Sequence, residues 1–110
     1  MRREGAVFDG EVVAELEELF GRTKLMDLLA RLDHEIAGRL RPAARDTAQL
    51  SSDAHALVSV SGSLGFLPLS QACADLERAC LRGGDLSAPL EAAVAAAEAA
   101  TWAIADLRAA

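Results

Sequence analysis

The residue most suited to chemistry in this 110-residue sequence is His55, one of two histidines. Near neutral pH an imidazole offers an unprotonated nitrogen that can act as a nucleophile. On a helix, which turns by about 100° per residue, the side chains within about 60° of His55 are all small or short. These neighbours are Ser51, Ser52, Val58, Ser59 and Gly62. A large partner can reach a histidine in such a low-relief patch, so we expect a nucleophile presented to another protein.

The opposite side of the same segment should be buried. Residues spaced three and four apart form one face there, which is typical of an amphipathic helix packed on a core. They are Leu50, Ala54, Leu57, Ser61 and Leu64.

Composition and charge limit the classes of protein to consider. Hydrophobic residues make up 52% of the chain but aromatic residues only 4%, and the abundance of alanine, leucine, glutamate and arginine favours an all-α fold. A chain of this length can bury a core as a single domain over residues 1–110. The formal net charge of −6 argues against nucleic acid as a partner.

The two cysteines predict no disulfide between them and no metal site. Cys73 and Cys80 are two helical turns apart, about 10 Å along the axis, which is too far for a bond within one helix. They are interpreted as reduced core residues of a cytoplasmic protein, and we expect the protein itself to hold no cofactor. The first residues lead into no apolar signal core, and charges interrupt the alanine-rich C-terminal stretch, so no membrane association is expected.

The apolar spacing predicts five helices and no strands. The predicted N-caps are Asp9, Thr23, Asp46 and Ser87, and glycines at 21, 65 and 83–84 end helices. The helices span about 9–20, 23–42, 46–64, 68–82 and 87–108.

Short connections favour antiparallel neighbours, so the last four helices are predicted to form an up-down-up-down four-helix bundle. The short first helix is expected to pack on it as a lid, with Leu19 and Phe20 in its apolar stripe. The fifth helix is expected to face the bundle through a seam made of Leu90, Val94, Ala97, Thr101, Ile104 and Arg108. Glu77 is interpreted as part of a solvated face.

The segment around His55 and the helix after it together resemble the histidine phosphotransfer (HPt) domain. The pattern of that family is roughly A-H-x-L-K-G-x-x-G-x-x-G, then L-x-x-x-C-x-x-L-E and a glycine before the last helix. The matching residues are Ala54-His55, Leu57, Gly62, Leu64-Gly65, Leu69, Ala72-Cys73, Leu76-Glu77 and Gly83 or Gly84. The leucine-rich helix before this run and the alanine-rich helix after it also fit, so the resemblance covers most of the chain.

The resemblance implies a four-helix bundle whose exposed histidine, His55, takes a phosphoryl group from the aspartate of one receiver domain and passes it to another. The partners would be receiver domains of response regulators and of a hybrid histidine kinase, and the receiver would bring the divalent metal. Such a carrier has no kinase or ATPase activity of its own. By position, Gly62 would lie where the receiver approaches, and an arginine there is expected to obstruct docking.

The sequence departs from the family pattern at two positions. The family usually has lysine three residues after the histidine and glycine four residues after it, whereas this chain has Val58 and Ser59. Loss of the lysine removes a positive charge from a site where an anion must arrive. The hydroxyl of Ser59 could bond to the imidazole or to a phosphoryl oxygen.

Three functions therefore remain open from the sequence. The first is a free-standing monomeric phosphorelay carrier that is phosphorylated on His55. The second is a non-transferring module of the same fold that docks a receiver or a histidine kinase. The third is a helical oligomerisation protein, against which the polar surroundings of His55 argue, because an obligate interface should be more apolar.

Overall fold

The computed structural model describes residues 6–40 and 46–110, and the described chain is all-helical. Within these residues this confirms the predicted all-α class and the number of helices. The helices are α1 (Gly10–Phe20), α2 (Arg22–Leu40), α3 (Thr47–Ser63), α4 (Leu67–Arg82) and α5 (Ser87–Ala109). The predicted continuation of the second helix to residue 42 lies outside the described residues.

Gly21 separates α1 from α2. Asp9 caps α1 by accepting a hydrogen bond from the backbone N–H of Glu11, and Gly21 ends it with a φ of 87°. The prediction of Thr23 as N-cap was wrong, because α2 begins at Arg22. Gly21 already supplies the turn, and its carbonyl accepts from the N–H of Leu25 in the first turn of α2.

The inner face of α1 is narrower than the sequence suggests. Val13 is buried and Leu16 is partly buried against the core, but Leu19 is 74% exposed and Phe20 is 55% exposed. Both were expected in the apolar stripe. They belong to the last turn of α1, which does not lie over the core.

The segment before α1 is fastened to the turn between α3 and α4. The N–H of Asp9 donates to the carbonyl of Gly65 at 2.8 Å, and the rings of Phe8 and Phe66 pack with centroids 5.4 Å apart. Gly65 has a φ of 86°, and a Cβ atom there would lie 3.0 Å from Val12. Glycine is therefore required at this position both by the backbone conformation and by the close approach.

Asp46 begins α3 as predicted, because its carboxylate accepts from the N–H of Gln49 at 2.8 Å. The turn after α3 is short, and Pro68 lies in the first turn of α4, where the missing N–H costs no hydrogen bond. Gly83 ends α4 in a left-handed conformation with a φ of 77°.

The N-terminus of α5 differs from the prediction. Ser87 is the first helical residue, not the cap, and the carboxylate of Asp85 accepts from both its backbone N–H and its hydroxyl. These hydrogen bonds lower the pKa of the Asp85 carboxyl. The hydroxyl of Ser87 donates to Asp85, so the carboxylate, which is the stronger acceptor, takes the place of the predicted serine cap.

Among the last four helices, each contacts two of the other three. These contacts join α2 to α3, α3 to α4, α4 to α5 and α5 to α2, while α1 packs on α2. The largest fully buried side chains include Phe66, Leu25, Leu57, Leu76 and Ile104. On α5 the buried residues are Ala93, Ala97, Ala100 and Ile104. Ala97 and Ile104 therefore confirm part of the expected seam, whereas Leu90, Val94 and Thr101 are only half-buried. The buried alanines let α5 approach its neighbours closely.

Among the described residues, no helix is both long and apolar enough to cross a membrane.

Candidate functional site

His55 lies near the middle of α3 and points away from the core. All the residues of the predicted inner face are buried, from Leu50 to Leu64, and this confirms the predicted orientation of the helix. The side chain of His55 is 73% exposed. The rigid helix fixes its backbone while the imidazole remains accessible to a partner.

The imidazole of His55 is held by a carboxylate from the next helix. Nδ1 of His55 lies 2.8 Å from Oε2 of Glu77 on α4. An ionised carboxylate can only accept hydrogen bonds, so Nδ1 carries the proton and donates it to Glu77. The lone pair of a neutral ring is then on Nε2, which is the nucleophilic nitrogen.

Glu77 contacts the candidate histidine, and sequence reasoning missed this contact. Its side chain is 25% exposed and contacts His55, so the interpretation as part of a solvated face was wrong. The spacing of the two residues in the sequence was a signal for this contact. His55 and Glu77 lie eleven residues before and after Phe66, the last of the three residues between α3 and α4. Eleven residues are about three full turns, which returns a side chain to the same face.

Gly62 and Ser70 meet where α3 packs on α4, about two helical turns from His55. A Cβ atom on Gly62 would lie 3.2 Å from the Ser70 hydroxyl oxygen, closer than side chains normally approach. That hydroxyl donates to the carbonyl of Val58 at 2.9 Å. The absence of a side chain at Gly62 therefore permits close packing of α3 on α4, in addition to the clearance for a partner that the sequence predicted.

The residues predicted to surround His55 are exposed to different degrees. Ser52 and Ser59 are exposed, whereas Ser51, Val58 and Gly62 are half-buried. Val58 also packs against the core, so it presents only part of its side chain to a partner.

The hydroxyl of Ser59 remains available for a ligand. Ser61 and Ser63 donate to the carbonyls of Leu57 and Val60 in their own helix. Ser59 has no such bond within the described part of the chain and lies one helical turn from His55. Its hydroxyl can therefore donate to an incoming oxygen atom.

The helix that carries His55 contributes no positive side chain to the site. Asp53 and His55 are the ionisable residues of α3, and Asp53 is buried on the side of α2, 2.8 Å from Arg39. On α4, Arg78 lies next to Glu77 in sequence but pairs with Asp75. An anion at Nε2 would find hydroxyl donors on α3, and Glu77 would be the nearest formal charge.

Arg39 fixes the first turns of α3 on α2 through two carboxylates. Its guanidinium lies 2.6 Å from Glu35 on its own helix and 2.8 Å from Asp53, which also accepts from Gln49. The hydrogen bond to Glu35 is the largest cause of a raised pKa of Arg39. These contacts lie on the side of α3 away from His55, so they position the helix and leave the imidazole free.

No group of three or more histidine, cysteine, aspartate or glutamate side chains with metal-binding geometry occurs in residues 6–40 and 46–110. Cys73 and Cys80 are both buried free thiols, as the sequence analysis expected for core residues.

The arrangement suits a nucleophilic nitrogen that receives a group from outside. One ring nitrogen is occupied by Glu77, the other faces solvent, and the surrounding side chains are small. Comparison with curated proteins and with solved structures gave no match. The family model described as "Hpt domain" matches residues 11–110, from the first turn of α1 to the end of the chain. The chain therefore belongs to the Hpt domain family.

Proposed function

We propose that this protein is a phosphoryl carrier. In this proposal Nε2 of His55 takes a phosphoryl group from the aspartyl phosphate of one receiver domain and passes it to the aspartate of another. Hpt domains are phosphoryl-carrier modules that interact with receiver domains and histidine kinases in phosphorelays. The observation that carries the assignment to His55 is the 2.8 Å contact between its Nδ1 atom and Glu77, which leaves Nε2 as the nucleophile.

The transfer step requires little from this protein beyond geometry. The Nε2 lone pair attacks phosphorus, the N–P bond forms, and the P–O bond to the donor aspartate breaks to release its carboxylate. The proton remains on Nδ1, so the phosphorylated ring is positively charged and Glu77 stabilises it. The reverse sequence delivers the group to the next aspartate. Phosphoryl transfer depends mainly on alignment and on neutralisation of charge.

Most of that neutralisation must come from the partner, because α3 contributes no lysine or arginine. We therefore propose that the receiver domain brings the divalent metal and that this protein itself holds no cofactor. The receivers would belong to response regulators and to a hybrid histidine kinase. The carrier would act as a cytoplasmic monomer without kinase activity.

We also propose that α2 to α5 run alternately up and down. The support is that Gly62 meets Ser70 close to the turn after α3, while His55 meets Glu77 farther from it. This order of contacts is expected when the two helices run in opposite directions. The closed cycle of contacts among the four helices is consistent with the same arrangement of the others.

A direct test compares two histidine variants. The protein, His55→Gln and His34→Gln are incubated with phosphorylated receivers from the same genome, and acid-labile, base-stable label is measured. His34 is exposed on α2, so its variant controls for loss of an exposed imidazole. Label on the protein and on His34→Gln, but not on His55→Gln, is expected. Equal labelling of both variants would exclude His55 as the acceptor.

The second candidate is a docking module that does not transfer. The absence of a positive side chain on α3 favours it, because an uncompensated phosphoryl group beside Glu77 is destabilised. In the same experiment this candidate predicts binding of a receiver, measured by calorimetry, without label on any form of the protein. A stable dimer that buries the His55 surface in ultracentrifugation would support an oligomerisation protein instead.

A further inference from the structure

Arg78 is a positively charged side chain next to the contact that holds His55. It follows Glu77 directly on α4, and its side chain is 56% exposed. It pairs with Asp75, whose side chain is also exposed. Water screens both charges of such a pair, so the pair contributes little to stability and can be exchanged for a stronger partner.

The contacts of α4 show which way Arg78 points. The buried face of α4 consists of Leu69, Cys73, Leu76 and Cys80. Glu77 lies beside this face and reaches α3, where it contacts His55. At about 100° per residue, Arg78 lies farther round the helix than Glu77, on the side away from the core. Arg78 therefore stands at the outer edge of the groove between α3 and α4, over which the exposed imidazole projects.

A second orientation of the Arg78 side chain directs it towards α3. Long side chains on a helix lean back over the residues three and four positions earlier, which here are Asp75 and Ala74. The observed orientation leans over Asp75, on the side of Arg78 that is away from α3. Ala74 lies on the side towards α3, and its methyl group leaves room for a side chain to pass over it.

This second orientation brings the guanidinium beside the imidazole. His55 and Glu77 are level with each other, because they are in contact across the two helices. Three residues nearer the turn on each helix, Ala74 is therefore level with Val58, which is less than one turn from His55. Packed helices lie about 8–10 Å apart, and the three methylenes and guanidinium of an arginine span most of that distance.

A phosphoryl group on His55 is a stronger partner for Arg78 than Asp75 is. The group carries nearly two negative charges and three acceptor oxygens, and a guanidinium can bind it through two parallel hydrogen bonds. Asp75 also accepts from the amide of Gln71, so its carboxylate keeps a hydrogen bond when Arg78 leaves. The repulsion between the phosphoryl group and Glu77 makes a nearby positive charge more favourable still.

We infer that Arg78 exchanges Asp75 for the phosphoryl group of His55 when this histidine is phosphorylated. The guanidinium then binds two phosphoryl oxygens and offsets the repulsion by Glu77. Arg78 takes no part in forming or breaking the N–P bond, so it is a phosphoryl-binding residue. The inference rests on the proposed function for the presence of phosphohistidine.

The test loads His55 chemically, without a receiver. Phosphoramidate donates its phosphoryl group to an accessible imidazole: Nε2 attacks phosphorus, the N–P bond of the donor breaks, and ammonia leaves. Every protein in the experiment carries His34→Gln, so that the label reports on His55 alone. Arg78→Gln should shorten the half-life of the label about fivefold, as expected for the loss of one exposed charge contact.

Arg82→Gln is the matched control. Arg82 is also an exposed arginine of α4, but it lies one turn farther from His55, where water and salt screen its charge. Its variant should keep the half-life of the protein with both arginines. Arg78→Lys keeps the charge and should also nearly keep it, whereas Asp75→Asn removes the competing acceptor and should lengthen it.

The ¹H–¹⁵N signal of the Arg78 side chain reports on the exchange directly. It should shift when His55 is phosphorylated, and the signal of Arg82 should not. Equal half-lives of Arg78→Gln and Arg82→Gln, or an Arg78 signal that does not shift, would overturn the inference.

Failure of His55 to accept the group from phosphoramidate would overturn the inference too, because the ligand of Arg78 would not form. Receivers take no part in this experiment, so its outcome is separate from that of the proposed function. A protein that is loaded chemically, but takes no label from any receiver, would retain the Arg78 site and exclude the carrier function.

Discussion

Oε2 of Glu77 lies 2.8 Å from Nδ1 of His55, and this contact joins the two helices of the candidate site. It determines which ring nitrogen is free, and it places a negative charge beside the ring. The first effect favours attack by Nε2. The negative charge stabilises the positively charged phosphorylated ring, but it repels the negatively charged phosphoryl group.

Replacement of Glu77 by alanine should slow transfer about tenfold, by analogy with the loss of about 10-fold or more when the partner that orients a metal-bound histidine is removed. Nδ1 would lose its acceptor, and both neutral tautomers would be populated. The ¹⁵N chemical shifts of the imidazole and the single-turnover transfer rate measure the two effects separately. Glu77→Gln is the control, because its amide oxygen can still accept from Nδ1. An unchanged tautomer in Glu77→Ala would contradict the positioning role.

Val58→Lys should lengthen the lifetime of the phosphorylated histidine. Val58 is half-buried, so the lysine stem can replace its packing while the ammonium group extends to solvent near His55. A positive charge about 7 Å from the phosphoryl group should stabilise it by about 1 kcal/mol, or about fivefold in rate. The decay of labelled protein measures the lifetime. Val58→Met is the uncharged control, and equal lifetimes in the two variants would show that charge is not the cause.

Gly62 and Ser70 should show coupled effects on stability. Alanine at 62 gains about 1 kcal/mol of helix propensity, but its methyl group crowds the Ser70 hydroxyl. Gly62→Ala alone should therefore change the free energy of unfolding little. In a Ser70→Ala background the crowding is absent, and the same change should stabilise by about 1 kcal/mol. Urea unfolding of the four proteins measures the coupling, and strictly additive effects would exclude it.

The close approach of Gly62 to Ser70 also changes how the effect of a Gly62→Arg variant is interpreted. The sequence suggested an obstruction to docking alone, but any side chain at this position meets Ser70 first. Slower transfer by Gly62→Arg would therefore not distinguish obstruction from altered packing of α3 on α4.

Cys73 should make the protein less stable at alkaline pH. Burial raises the pKa of its thiol to about 11, above the value of 9.0 for an accessible cysteine. The unfolded chain therefore releases this proton first, and the free energy of unfolding should fall as pH rises from about 9 towards 11. Urea unfolding at pH 8 and pH 10 measures the fall. Cys73→Ala should show a smaller decrease between these pH values, and an equal decrease would assign it to other groups.

Local signals in the sequence predicted most of the helices but not the contacts between them. Asp9 and Asp46 were identified as caps because each acts on its own first turn. Ser87 was misassigned because Asp85, two residues earlier, accepts from both its N–H and its hydroxyl, which leaves Ser87 as the first residue of the helix. Periodicity identified His55 as exposed, but it could not show the acceptor for Nδ1. That acceptor lies 22 residues away, and its position depends on how α4 packs on α3.

The hydrogen bond from Asp9 to Gly65 couples the N-terminal segment to the angle between α3 and α4. It closes over the turn from which α3 and α4 diverge, and Val12 fills the space that a side chain at Gly65 would need. His55 and Glu77 lie about 16 Å from that turn, so a change of about 5° between the helices would shift them by more than an ångström. A shift of that size breaks a hydrogen bond. A pull on the chain ahead of α1 could therefore change the reactivity of a histidine that the pulled segment never touches.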